Sequence, residues 1–210
     1  EWQAAASILS GMQAHAVRPD SISYNAAISA CGRCGEMASV LRMLREARRL
    51  SLADVVTYTA VISACEKAQR WAMAFSLLGD LRRLRLPAGT ITYNAAISSS
   101  EKAHQWSVAL SSLTQMQRSQ LSPDVVSYNA AISACEKGRE WERALSLMQS
   151  MGVARIRRDV YTLSAAISAC EKGREWAAAL ALLRSGYESG VEPGTIAHNA
   201  AISACEKGQR

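Results

Sequence analysis

The chain has 210 residues and 22.7 kDa, half of them apolar, with a formal net charge of +6 and a pI near 9.2. That composition is too apolar for a disordered chain, and no run of some 18 apolar residues exists to span a bilayer. The basic balance favours a polyanionic partner, without separating RNA from DNA or acidic protein.

Nearly the same letters recur along the whole chain. Tyr24, Tyr58, Tyr93, Tyr128, Leu163 and His198 fall in one column at steps of 34, 35, 35, 35 and 35 residues. A fixed period of this size means stacked supersecondary units. In chain order they are a partial unit (1–20), five complete units (21–54, 55–89, 90–124, 125–159, 160–194) and a partial unit (195–210). Opening and closing inside a unit, the chain reads as a fragment of a longer array. Surfaces near Trp2 and Ile202 are then expected to be apolar and exposed.

The unit 125–159 is the clearest. Tyr128, Ala131, Ile132 and Cys135 follow the i, i+3, i+4, i+7 spacing of one helical face. Ser127 precedes this stripe and is expected to cap the helix, as are Ser23, Thr57, Thr92 and Thr162; Ala197 lacks the hydroxyl, so the last first helix should fray. Gly138 is expected to break the helix. Trp141, Ala144, Leu145, Met148 and Met151 then mark a second helix, and Gly152, or Pro19, Pro87, Pro123 and Pro193 in other copies, closes the unit. Such hairpins bury their apolar stripes only by stacking, which makes the fold an all-α solenoid. The tryptophans at 2, 71, 106, 141 and 176 share one column and are expected in the core.

Cys31, Cys65, Cys135, Cys170 and Cys205 form another column, with Ser100 in the remaining copy. Equivalent sulfurs one unit apart are too distant for disulfides, so these read as reduced, buried, small apolar residues. Cys34 adds a lone C-x-x-C with Cys31, insufficient for a metal site. His15, His104 and His198 occupy three different places, and no carboxylate cluster or phosphate loop appears. No catalytic activity, cofactor or metal is expected.

Two columns suggest binding. The place after the tyrosine holds only small hydrogen-bonding residues, Asn25, Thr59, Asn94, Asn129, Ser164 and Asn199, as base-edge readers would be, although such residues also suit a helix's first turn. Arg33, Lys67, Lys102, Lys137, Lys172 and Lys207 repeat one cation per unit near the end of the first helix. They read as a phosphate ladder or as complements to the helix dipole. The basic clusters Arg42–Arg49, Arg82–Arg85 and Arg155–Arg158 lie in second helices and turns and read as a solvated outer face.

The period, the Val-Val-Ser-Tyr-Asn at 125–129, the Cys-Glu-Lys-Gly at 135–138 and the Ser-Pro-Asp at 122–124 resemble the pentatricopeptide repeat. The resemblance implies a right-handed solenoid that binds single-stranded RNA, one base per repeat. It implies base selection by Asn25 with Asp54, Thr59 with Gly89, Asn94 with Asp124, Asn129 with Asp159, and Ser164 with Gly194. The Asn/Asp pairs correspond to uracil and the Thr and Ser places to purines, while Gly at the last place departs from the common pattern. Ile22, Val56, Ile91, Val126, Tyr161 and Ile196 would wedge between bases. The resemblance further implies a chloroplast or mitochondrial setting, with other RNA-processing proteins as further partners. The alternatives are a protein-interaction scaffold, or the targeting half of an RNA-processing enzyme. Salt dependence separates RNA from peptide: five or six phosphate contacts give a slope of log K against log salt of roughly −3.5 to −4.

Overall fold

The computed structural model describes residues 2–208, and of residues 13 and 14 the backbone alone. Twelve helices and no strand occur among these residues: α1 (Trp2–Ala14), α2 (Ser21–Arg33), α3 (Met37–Arg49), α4 (Val55–Lys67), α5 (Trp71–Arg83), α6 (Thr90–Lys102), α7 (Trp106–Arg118), α8 (Val125–Gly138), α9 (Trp141–Val153), α10 (Val160–Gly173), α11 (Trp176–Glu188) and α12 (Thr195–Gly208). The last two residues of the partial unit 195–210 lie outside the described residues.

The chain forms two compact units, Glu1–Ala103 and His104–Arg210. In the first, α2, α4 and α6 pack side by side in a row; α3 lies against α2 and α4, and α5 against α4 and α6. In the second, α8, α10 and α12 form the row, with α9 against α8 and α10 and α11 against α10 and α12. Each is a two-layer solenoid of helical hairpins. The layers form because each first helix has one stripe for its own partner helix and flanks for its neighbours. Tyr24, Ile28 and Cys31 of α2 and Val40, Met43, Leu44 and Ala47 of α3 are all buried, and α4 and α5 repeat the arrangement with Tyr58, Ile62, Cys65, Leu77, Leu78 and Leu81. Each fully buried Ile or Leu contributes about 1.5–3 kcal/mol.

The cysteine column is as the sequence indicates except at Cys205, which is half-buried. Cys31, Cys65, Cys135 and Cys170 are buried and unbridged, and burial pushes the thiols of Cys65, Cys135 and Cys170 up to about 11. Ser100 takes the same buried place by donating its hydroxyl to the Ala96 carbonyl at 3.0 Å. Of the two flanks expected to be exposed, Ile202 is 69 % exposed, whereas Trp2 is half-buried and Ile8 is the exposed apolar residue of α1.

Three local expectations are corrected. First, Ser127 and its counterparts are not the N-caps. The caps are Asp20, Asp54, Asp124 and Asp159, whose carboxylates accept from the amide three residues on. In α4, α8 and α10 the hydroxyl of Thr57, Ser127 or Thr162 accepts in return from the cap amide, a capping box. The helices start three residues before the apolar stripe, because their first turn buries only a hydroxyl residue, Thr57, Ser127 or Thr162, and so carries no apolar signal. α12 is helical from Thr195 although Ala197 lacks the hydroxyl, and the Ala197 side chain is fully buried.

Second, Gly138 is not a breaker. It is the last residue of α8, and the left-handed turn falls on Arg139, at φ 61°. Its need for glycine comes from a neighbouring repeat: a Cβ at 138 would lie 2.3 Å from Trp106 Cδ1, at 173 it would lie 2.4 Å from Trp141 Cδ1, and at 208 2.4 Å from Trp176 Cδ1. Third, the tryptophans are therefore not core residues. Trp71, Trp106 and Trp141 are half-buried and Trp176 is 48 % exposed, each of the last three lying against the glycine of the following first helix.

Gly173→Ala should consequently lower stability, by about 1 kcal/mol, since overpacking against Trp141 costs ~1–3 kcal/mol and outweighs the ~1 kcal/mol that alanine gains in a helix. In a Trp141→Leu background the same change should turn neutral or stabilising. Thermal unfolding followed by circular dichroism tests this, and an unchanged or raised Tm in the native background would refute the contact.

Candidate nucleic-acid interface

The first-helix rows bring three of the columns together. Each first helix begins with an acidic or glycine cap, then exposes one apolar residue, then presents the small polar residue one turn on. Ile22, Val56, Ile91, Val126, Tyr161 and Ile196 are all exposed, from 52 % for Val126 to 79 % for Tyr161. An apolar side chain held in water at the same place of every repeat is not explained by packing.

Beside this row, the polar residue of one repeat is joined to the cap of the next helix. Asn129 Nδ2 donates to both carboxylate oxygens of Asp159 at 3.1 Å, and Thr162 Oγ1 donates to Asn129 Oδ1 at 2.5 Å. Asn25 repeats the arrangement with Asp54 at 3.4 Å and Thr57 at 2.6 Å. These residues lie 29 and 30 positions apart in sequence, and the stacking of first helices makes them neighbours. One amide hydrogen and one carbonyl lone pair of each Asn remain for a ligand.

Burial alone would raise the Asp54 and Asp159 carboxyls, but the hydrogen bonds from Thr57 and Asn25, and from Thr162 and Asn129, outweigh it and hold both below the usual 3.8. Because the folded values are depressed, the stability these caps lend is present above pH 3.8 and is lost as the pH falls through the folded values. Asp159→Asn should therefore lower Tm at pH 7 and flatten its decline between pH 5 and 2.5. A Tm profile parallel to the native one throughout that range would exclude the coupling.

The steps that end in glycine differ. Thr59 turns its hydroxyl to the Val55 carbonyl at 2.8 Å and meets Thr92 Oγ1 at 2.7 Å, and Ser164 donates to the Val160 carbonyl at 2.7 Å. Gly89 precedes α6 without a side-chain cap, and Gly194 likewise precedes α12. At these steps the reader is a single hydroxyl bonded to its own helix and, at Thr59, also to Thr92 of the next first helix. Asn94, on α6, and Asp124, before α8, belong to different compact units; Asn199 is exposed on α12.

The cation column has partners that sequence reading missed. Lys102 Nζ lies 2.8 Å from Glu66, Lys172 2.8 Å from Glu136 and Lys207 2.6 Å from Glu171. Each lysine is bonded to the glutamate of the preceding repeat, 36 positions back. The signal was present as the column Glu66, Glu101, Glu136, Glu171 and Glu206, immediately before the lysines. Its one interruption is Gly32, which is buried and whose Cβ would lie 2.7 Å from that of Ala64. Lys67 therefore lacks the glutamate of the preceding repeat, and neither it nor Arg33 meets a carboxylate among the described residues. They line a cavity of about 250 Å³ with Ser29 and Ser63. The six cations of this column are outnumbered by its five glutamates and the four cap aspartates Asp20, Asp54, Asp124 and Asp159, so the surplus positive charge of the chain resides on the second helices and turns.

Models of the pentatricopeptide repeat match residues 22–52, 56–86, 76–139 and 123–172. The chain belongs to the pentatricopeptide repeat family. No curated protein matches it in sequence. Among solved structures it is similar to the pentatricopeptide repeat domain of Arabidopsis thaliana protein-only RNase P 1, at 14% identity and a TM-score of 0.72, over 85% of this chain and 95% of that one. It is similar to Arabidopsis nuclear proteinaceous RNase P 2, at 11% identity and a TM-score of 0.78, over 91% of this chain and 43% of that one. Maize PPR10 matches at 17% identity and a TM-score of 0.62 over 99% of this chain, which spans 35% of the length of PPR10. At such identities the likeness is one of fold. Among the described residues, no helix is long and apolar enough to cross a membrane and no group of three metal-ligating side chains converges.

Proposed function

We propose that the chain is a sequence-specific single-stranded RNA-binding array that acts by occupying its site, with base selection along the first-helix rows. The observation that carries this is the joined Asn/Asp pair next to an exposed apolar residue, found at Asn25/Asp54 beside Val56 and at Asn129/Asp159 beside Tyr161. A base stacked on the apolar residue would present its edge to the free valences of the asparagine. Solved relatives bear on the same reading: PPR10 has been crystallised with an 18-nt psaJ RNA element, and the repeat domain of protein-only RNase P 1 with tRNA.

With the amino terminus toward the 5′ end, as the family resemblance implies, the five complete repeats should select uracil, purine, uracil, uracil, purine. Selection from a random RNA pool tests the order, and a motif without uracil opposite the first, third and fourth repeats would overturn it. The purine steps should be the weaker ones, because Thr59 and Ser164 are bonded to their own helices and glycine offers no partner.

Tyr161 is the only aromatic member of the exposed column. Tyr161→Val should weaken binding by about 1 kcal/mol, the lower part of the range for base stacking on aromatic rings, without altering base preference. Equal affinities of the two proteins would remove Tyr161 from the interface.

A further inference from the structure

The surplus positive charge of the first compact unit lies on its second helices and the turns after them. Its C-terminal helix ends carry Arg48 and Arg49 on α3 and Arg82, Arg83 and, in the turn after α5, Arg85, all exposed. Arg48 and Arg83 converge on Asp80, Arg48 Nη2 at 2.7 Å, which fixes the ends of α3 and α5 against each other. Beside this knot opens a cavity of about 630 Å³. Its walls are Ala53, Leu84, Leu86 and the Tyr58 ring, over which the Arg48 guanidinium sits at 5.0 Å. Leu84 and Leu50 are 56 % and 43 % exposed.

Exposed arginines therefore adjoin, in sequence, the residues that line a cavity with apolar walls. Asp80 cancels much of the charge of Arg48 and Arg83 at the cavity wall, while Arg49, Arg82 and Arg85 meet no acidic partner among the described residues and stand next to the lining residues in sequence. A nucleic-acid backbone would be served by the reverse: it brings phosphates and no aliphatic group, and it would meet Asp80 and the leucines. An apolar core with a charged rim is the anatomy of a protein interface, and guanidinium forks match carboxylates in pairs.

We propose that this outer face of the first unit docks an acidic protein segment with an apolar anchor, a Leu or Phe seated between Leu84 and Leu86 and flanking Asp or Glu on Arg49, Arg82 and Arg85. The partner is a protein, and the residues that would hold it are none of those assigned to base selection.

A library of random 12-residue peptides displayed on phage and selected on the immobilised full chain tests this. The enriched peptides should share a Leu or Phe flanked by two or more acidic residues. The leading peptide, synthesised with a fluorescent label, should bind at least tenfold more weakly to Leu84→Asp and to Arg49→Glu/Arg82→Glu, while a U-rich oligoribonucleotide binds both variants as it binds the native chain. All three substituted positions are exposed, and Leu84→Ser serves as a second variant if the aspartate perturbs folding. Enrichment of peptides lacking acidic residues, no enrichment, or peptide binding indifferent to Leu84 would overturn the proposal. So would loss of duplex-RNA binding in Arg49→Glu/Arg82→Glu, which would make the face a second RNA surface. A dimer in sedimentation that Leu84→Asp dissociates would overturn it too, in favour of a second copy of the chain.

Discussion

Asn129→Thr, with Asp159 retained, is expected to move the preference of the fourth complete repeat from uracil to guanine and leave the other positions unchanged. Asn129 is held by donation to both Asp159 oxygens and by the Thr162 hydroxyl. A threonine cannot span to Asp159 in that way: in the same column, Thr59 turns to the carbonyl four residues back and to Thr92. The substitution therefore releases the Asp159 carboxylate toward the ligand and replaces an amide, which donates and accepts, by a hydroxyl. A matched hydrogen-bond pair discriminates between bases by ~1–3 kcal/mol, so affinity for the uracil and guanine targets should cross over. Filter binding against the two oligoribonucleotides measures it, with circular dichroism as a folding control. A uniform loss for every RNA, or no change at all, would make Asn129 a helix-end residue with no reading role.

The second large effect concerns the cations. Arg33→Ala/Lys67→Ala should weaken binding to all RNAs alike, each charge-assisted contact being worth ~1.5–3 kcal/mol, and should flatten the salt slope by roughly 1.4, at about 0.7 per phosphate. Lys172→Ala should change the slope little, since its ammonium is already bonded to Glu136, and should cost only the ~0–1 kcal/mol of a solvent-exposed ion pair. The native slope is correspondingly expected nearer −1.4 than the roughly −3.5 to −4 of a fully available ladder. Titration of affinity against salt for the three proteins decides between them. A slope change for Lys172→Ala half as large as that for Arg33→Ala/Lys67→Ala would show that the glutamates release their lysines on binding.

The sequence by itself determined the period, the helix pairs and the columns, because a repeat displays six nearly equivalent solutions of one packing problem. Tyr24, Tyr58, Tyr93, Tyr128 and Cys31, Cys65, Cys135 and Cys170 are buried where the 3.6-residue spacing puts them. The exposed column was equally legible: Ile22 and Tyr161 stand off the stripe. What the tertiary structure decided are relations between repeats, for which a single-helix pattern holds no signal. Gly138 reads as a stop within its own repeat, and only the approach of Trp106 shows that it is a contact. Asp124 and Asp159 end one repeat in the sequence but cap the next helix in space, so the hydroxyls of Ser127 and Thr162 reciprocate instead of capping. Lys172 reads as a free cation, and its partner Glu136 is 36 residues away. The helix row places the end of one first helix beside the next, where a carboxylate one repeat back lies within reach of an ammonium. Where Gly32 takes the place of that carboxylate, the close approach of α2 to Ala64 leaves Lys67 without the glutamate that its counterparts meet.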